Sequence, residues 1–385
     1  MKKNNLFNFH WLLIVLTVTL LTILKNQPAF AVSLTENSSP VPAAAMKLIQ
    51  FCINPRTGLD NQAVSTVLDY VIEHKSHKEV ELPKYQDSTG AYYEFDTRTN
   101  FSNFLQYTYS SKVPSALTRP ASLRYSIWTD LPGELPKLPS NWKMPGPGDK
   151  PVIIYGLQRD CITPDIITGV YYEYGLKRTL ILLNHKGKQA LISISKQIEI
   201  SDVGKKGYIL GKDDDWSYYY SGEPGSTKAG LGWVKSYIYN FFSVGVYVES
   251  GSSLVRCGNF QWIRAGWSGV NFVKPEHVIK GMKRHARNLK TIVESPSVPS
   301  PKQLISIYQR LLSLPRIELI KDYTALQNAR QSMAVQSGKI KAKDIKKQDS
   351  YASTPKEQIV EELMLENLKI FMGKPSLLGK KIFGG

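Results

Sequence analysis

Ser193-Ile194-Ser195-Lys196 matches S-x-x-K, the spacing that puts a serine nucleophile beside a lysine on a helix in penicillin-recognising enzymes. Here it lies in an alternating segment, 190–196, where residues three apart point to opposite faces of a strand, so the pair does not meet. Gly222-Glu223-Pro224-Gly225-Ser226-Thr227-Lys228 resembles a phosphate loop but lacks the G-x-x-x-x-G-K-[ST] spacing and precedes a strand-like segment. It reads as a flexible loop, or as a lid over a cavity. Asp213-Asp214-Asp215, with Glu223 nearby, offers carboxylates to a hard cation without the spaced calcium-loop pattern; the competing reading is a solvated acidic turn. His74 and His77 sit one helical turn apart with no evident third ligand. His277 and His285 are acid–base candidates if they face a cavity, yet neither has an identifiable carboxylate and hydroxyl for a triad. No catalytic, metal or cofactor set emerges, which points to binding rather than turnover and keeps an enzyme as the third alternative.

The elements that would position these residues follow from periodicity. Asp60 caps a helix carrying Val64, Val67, Leu68, Val71 and Ile72 at helical spacing. Residues 91–96 have strand character, and Phe101, Phe104, Leu105 and Tyr109 mark a short helix over 100–110. A half-buried strand over 122–128 leads into a proline-dense crossing loop at 131–151. From 152 to 273 the chain reads as an antiparallel meander, with strands at 152–157, 169–174, 216–221, 234–249 and 254–265. A hairpin joins 179–183 to 190–196 through Asn184-His185-Lys186-Gly187-Lys188, with glycine where φ must be positive. After Pro275 the period becomes helical. Val278, Ile279, Met282, Leu289, Ile292 and Val293 form a stripe, with Lys280, Lys283, Arg284, Arg287 and Lys290 largely opposite. Further helices are expected at 302–314, 316–336 and 355–372.

The domain reading is a cleavable leader at 1–31, a flexible leading segment at 32–45, an α+β domain at 46–295, a helical extension at 296–336, a Lys-rich linker without stable structure at 337–355, and a terminal amphipathic helix and tail at 356–385. The leader rests on Lys2 and Lys3, the apolar run 11–24 and Ala29-Phe30-Ala31, a basic start, apolar core and small-x-small cleavage site. It implies export to a periplasm or envelope and a mature chain from Val32. In such a compartment Cys52, Cys161 and Cys257 suggest one disulfide and one free thiol, with Cys161–Cys257 the first choice.

The fold class is α+β: a curved antiparallel meander gripping a long amphipathic helix, with a helical extension after it. Residues 92–96 leading into 101–109, and Phe260-Gln261-Trp262-Ile263-Arg264-Ala265 running into the 275–294 helix, resemble the START-like, or Bet v 1-like, helix-grip superfamily over roughly residues 45–295. The resemblance implies an apolar cavity between sheet and helix that holds a hydrophobic or amphipathic molecule such as a lipid. The proline-rich excursion and the C-terminal extension depart from its compact form and put access to that cavity in question.

Candidate ligand contacts are Tyr171, Tyr237, Tyr239, Phe241, Trp262 and Met282, the tyrosines offering a polar tip on an apolar ring. The alternative is that these aromatics are plain core, in an envelope protein whose extension binds a protein partner. The net charge is +17, and residues 275–385 hold 20 of the 49 Lys and Arg but 10 of the 32 Asp and Glu. For an exported chain this excess reads as attraction to an anionic membrane surface or as a solvated basic face, and not as nucleic-acid binding.

Overall fold

The computed structural model describes residues 39–73, 78–133, 135–225, 234–344 and 351–379. The leader, the His74/His77 pair and parts of the glycine-rich loop and Lys-rich linker lie outside the described residues. The chain opens with helices α1 (Pro40–Ile53) and α2 (Asn61–Glu73), then strands β1 (Glu79–Tyr85) and β2 (Ser88–Thr97). Short helices α3 (Phe101–Thr108) and α4 (Ser115–Thr118) precede β3 (Leu123–Asp130) and β4 (Val152–Ile162). Strands β5 (Val170–Tyr171), β6 (Glu173–His185), β7 (Lys188–Gln197), β8 (Lys205–Ile209), β9 (Tyr218–Pro224), β10 (Tyr237–Gly251) and β11 (Leu254–Gly266) follow. Four helices complete the described chain: α5 (Pro275–Val293), α6 (Pro301–Ser313), α7 (Arg316–Gln336) and α8 (Lys356–Phe371).

Eight strands form one antiparallel sheet in the order β1-β2-β11-β10-β7-β6-β4-β3, and β5-β8-β9 form a second, smaller one. Local chemistry accounts for several boundaries. Asp60 Oδ1 accepts from the Ala63 N–H at 2.9 Å at the start of α2. In the β6–β7 hairpin, Lys186 and Gly187 have φ of 52° and 80°, which matches the right-handed strand twist, and Asn184 Oδ1 accepts from Gly187 N at 3.1 Å. The proline-rich passage is tied down near its middle, where Trp142 Nε1 donates to the Tyr109 carbonyl at 2.8 Å.

The large sheet is covered on both faces. One face, carrying Ile192, Ile194, Val244, Val246, Phe260 and Trp262, packs on α1 and α2. The other faces the later helices, with α5 lying chiefly across β2. This is the α+β architecture expected, an antiparallel sheet with a long helix across its inner face and further helices after it.

Three features differ from expectation. Residues from Pro40 onward are helix, not a flexible lead, because proline is tolerated in a first turn and Val41, Ala44, Ala45 and Leu48 bury against the sheet. Cys52, Cys161 and Cys257 are all buried free thiols. Cys161 on β4 and Cys257 on β11 have β6, β7 and β10 between them, far outside the reach of a disulfide at about 4.8 Å per strand. The C-terminal helices are no appendage: Ile359, Leu363 and Leu368 share a hydrophobic cluster with Phe95, Leu180 and Tyr247 of the sheet.

Candidate functional site

Strand register puts an unusual set of side chains on the inner face. Across β6, β7, β10 and β11 one row reads Leu180, Ser193, Gly245, Asn259, and the next Arg178, Ser195, Ser243, Gln261. The same strands carry isoleucine, valine and aromatic residues on the other face. A polar strand face ordinarily looks into water. Here α5 covers it, and between sheet and helix lies a cavity of about 280 Å³.

The cavity is lined by the apolar Leu176, Ile238, Phe241, Ile263 and Met282 and by the polar Arg119, Asp160, Arg178, Asn259 and His285. Arg178 Nη2 donates to Ser193 Oγ at 2.7 Å, and Asp160 Oδ1 accepts from Gln158 Nε2 at 2.7 Å. Burial pushes the Asp160 carboxyl upward despite nearby donors and arginines. Burial, with the Arg119 guanidinium adding to it, pushes His285 down to about 3, so its imidazole is neutral. Gly245 leaves room in the floor, since a Cβ there would stand 2.7 Å from Tyr247 Oη and 3.1 Å from Asn259 Oδ1, so these side-chain tips would have to shift. A second cavity of about 210 Å³ adjoins it, sharing Tyr109, Arg119 and Arg178 and reaching Gln158 and Glu361.

The six expected contact residues separate. Phe241 and Met282 line the cavity. Trp262 faces α1 and α2 and donates from Nε1 to the Pro83 carbonyl at 2.9 Å. Tyr171 lies in the small sheet, edge-on to Tyr220 at 5.0 Å. Tyr237 and Tyr239 are displaced by an irregularity in the β10–β11 pairing between Ile238 and Asn240. A bulge of one residue swaps faces, so Ile238 joins Phe241 in the cavity while Tyr239 Oη accepts from Gly269 N at 2.8 Å.

The other candidates resolve into packing. Ser193 faces the cavity, whereas the Lys196 ammonium reaches the Ile198 carbonyl at 3.4 Å. Asp213 is clamped by Arg284, whose Nε and Nη2 donate at 2.8 and 2.5 Å, and Arg287 Nε bonds Asp214 at 3.0 Å. Among the described residues no group of three or more His, Cys, Asp and Glu could hold a metal. His277 Nδ1 accepts from Lys274 N at 3.3 Å, a cap on α5. Arg119, Asp160, Arg178, Asn259 and Gln261 were not singled out in the sequence. Asn259 and Gln261 had a signal in the alternation of polar residues along 193–197 and 259–261, which by itself reads as a solvent face; Arg119, Asp160 and Arg178 had none.

No protein-family model and no curated protein matches this chain. Among solved structures it is similar to human StAR-related lipid transfer protein 5, with a TM-score of 0.32 and 7% identity over 66% of this chain and 97% of that one. It is likewise similar to the human StarD13 lipid transfer and protein localization domain, with a TM-score of 0.29 and 9% identity over 60% of this chain and 98% of that one.

Proposed function

We propose that this chain binds an amphipathic small molecule between the inner face of the sheet and α5, without turning it over. The observation that carries the reading is the cavity of about 280 Å³, lined by both apolar and hydrogen-bonding side chains. A purely structural protein gains nothing from leaving such a space, because an unfilled cavity costs packing contacts. Burial of the apolar part against Phe241, Ile263 and Met282 supplies the affinity, and the polar lining residues fix orientation. At about 280 Å³ the volume falls just below the range of small-molecule sites, which starts at about 300 Å³, and suits one short chain or ring system better than a two-chain lipid. In this reading the chain is exported through its leader, and the basic residues after 275 hold it near anionic membranes.

Native mass spectrometry with organic extraction, on full-length protein purified without detergent, tests this. A stoichiometric hydrophobe that leaves on extraction is expected. A clean ligand-free mass that persists after incubation with single-chain lipids would move the weight to the structural alternative.

A further inference from the structure

The buried arginines of this interior fall into two groups. Arg284 is paired with Asp213, Arg256 with Asp96, and Arg124 and Arg330 with Glu362. Arg119 and Arg178 have no such partner among the described residues. Each makes a single side-chain hydrogen bond there, Arg178 to Ser193 and Arg119 to Tyr109 at 3.4 Å. The Nε atoms of both, and Nδ2 of Asn259, have no acceptor.

A guanidinium stays charged in a protein, and a buried charge is costly unless paired. Arg178 is 4% exposed. Arg119 is half-buried, and both residues line the two adjoining cavities. Asp130, Asp160, Asp165, Glu357 and Glu361 line these cavities, and among the described residues none is within ion-pair distance of Arg119 or Arg178. Asp160 is occupied by Gln158, and Glu361 accepts from Ser126 N at 2.9 Å. Burial pushes the carboxyls of Asp160 and Glu361 upward, Glu361 strongly, while Arg178 and Arg119 act on Asp160 in the opposite sense. Arg284 is already paired with Asp213, and the side-chain partners of Arg119 and Arg178 among the described residues are neutral hydroxyls, so each of these two cavity-lining guanidinium groups keeps an Nε donor without an acceptor.

We propose that this cavity binds the oxyanion head of a hydrophobic acid, with Arg119 and Arg178 supplying the counter-charge and Asn259 a further donor, while the apolar part lies against Leu176, Phe241, Ile263 and Met282. The inference rests on the binding function above and narrows its ligand class. Fork-shaped guanidinium groups suit carboxylate and phosphate alike.

Calorimetric titration of full-length protein with decanoate, decyl phosphate and decanol, which share one tail, tests it. One or both acids are expected to bind at least about tenfold more tightly than decanol, the stronger of the two naming the head as carboxylate or phosphate. Arg178→Gln and Arg119→Gln should each bring the acids down to the level of decanol and leave decanol unchanged. Neither variant should melt below the parent, since no ion pair is lost. Decanol binding as tightly as both acids would overturn the anion proposal and leave the cavity reading standing. Failure of all three to bind would overturn both. A lowered melting temperature with acid binding intact would assign the arginines a structural role and also overturn the proposal.

Discussion

His285 shows how enclosure sets the chemistry of a single residue. Its imidazole lies beside Arg119 and is pushed down to about 3 by burial first and that cation second. An exposed histidine titrates near 6.5, so between about 6.5 and 3 the unfolded chain takes up a proton that the folded one refuses. The neutral imidazole therefore contributes its full stability above about pH 6.5, and this is lost as pH falls toward 3. His285→Gln should flatten that fall, read as urea midpoints at pH 7 and 4.5; an unchanged slope would show that His285 is open to water. Burial likewise pushes the Cys161 thiol up to about 12, which keeps it protonated and unreactive at neutral pH. Neither effect was legible in the sequence. Both depend on which neighbours the sheet register supplies, as does the position of Tyr239, moved out of the cavity by one extra residue in β10.

At the scale of elements, α8 is the least expected feature. The helix is amphipathic only weakly by sequence, yet Gln358 through Lys369 are all buried, because it is packed against β3, α4, α6 and α7. Its charge is accommodated by pairing. Glu362 accepts from Arg124 Nε at 2.9 Å, from Tyr323 Oη at 2.9 Å and from Gln358 Nε2 at 3.0 Å, and is bonded to Arg330 as well. Although burial alone would raise it, these arginines hold its carboxyl down to about 2. Glu362→Ala would leave two guanidinium groups without a counter-charge and should cost about 3–5 kcal/mol in a urea titration; a loss below about 1 kcal/mol would contradict this pairing. The long helix α5 was legible from its stripe of Val278, Met282, Leu289 and Ile292. Arg284 and Asn288 were not, since both are buried on a face that composition alone assigns to water.

The molecule as a whole is three layers: α1 and α2, the eight-stranded sheet, and α3 to α8. The order of helix, meander and long helix could be read from periodicity, since each element carries its own apolar pattern. The cavity could not be read in that way. It arises where a polar strand face and a covering helix meet, and these are separated by tens of residues. The central claim is that this space receives the ligand, and a variant that fills it is the most direct test. Ser243 stands on β10 in the cavity wall, only partly buried, so Ser243→Phe can place its ring in the open space without displacing the sheet. Decanoate titrated into the parent is expected to bind with one site, and titrated into Ser243→Phe to give no heat, with the melting temperature of the variant equal to or above the parent. One-site binding of decanoate that survives unchanged in a folded Ser243→Phe would contradict the account, because the ligand would then sit elsewhere.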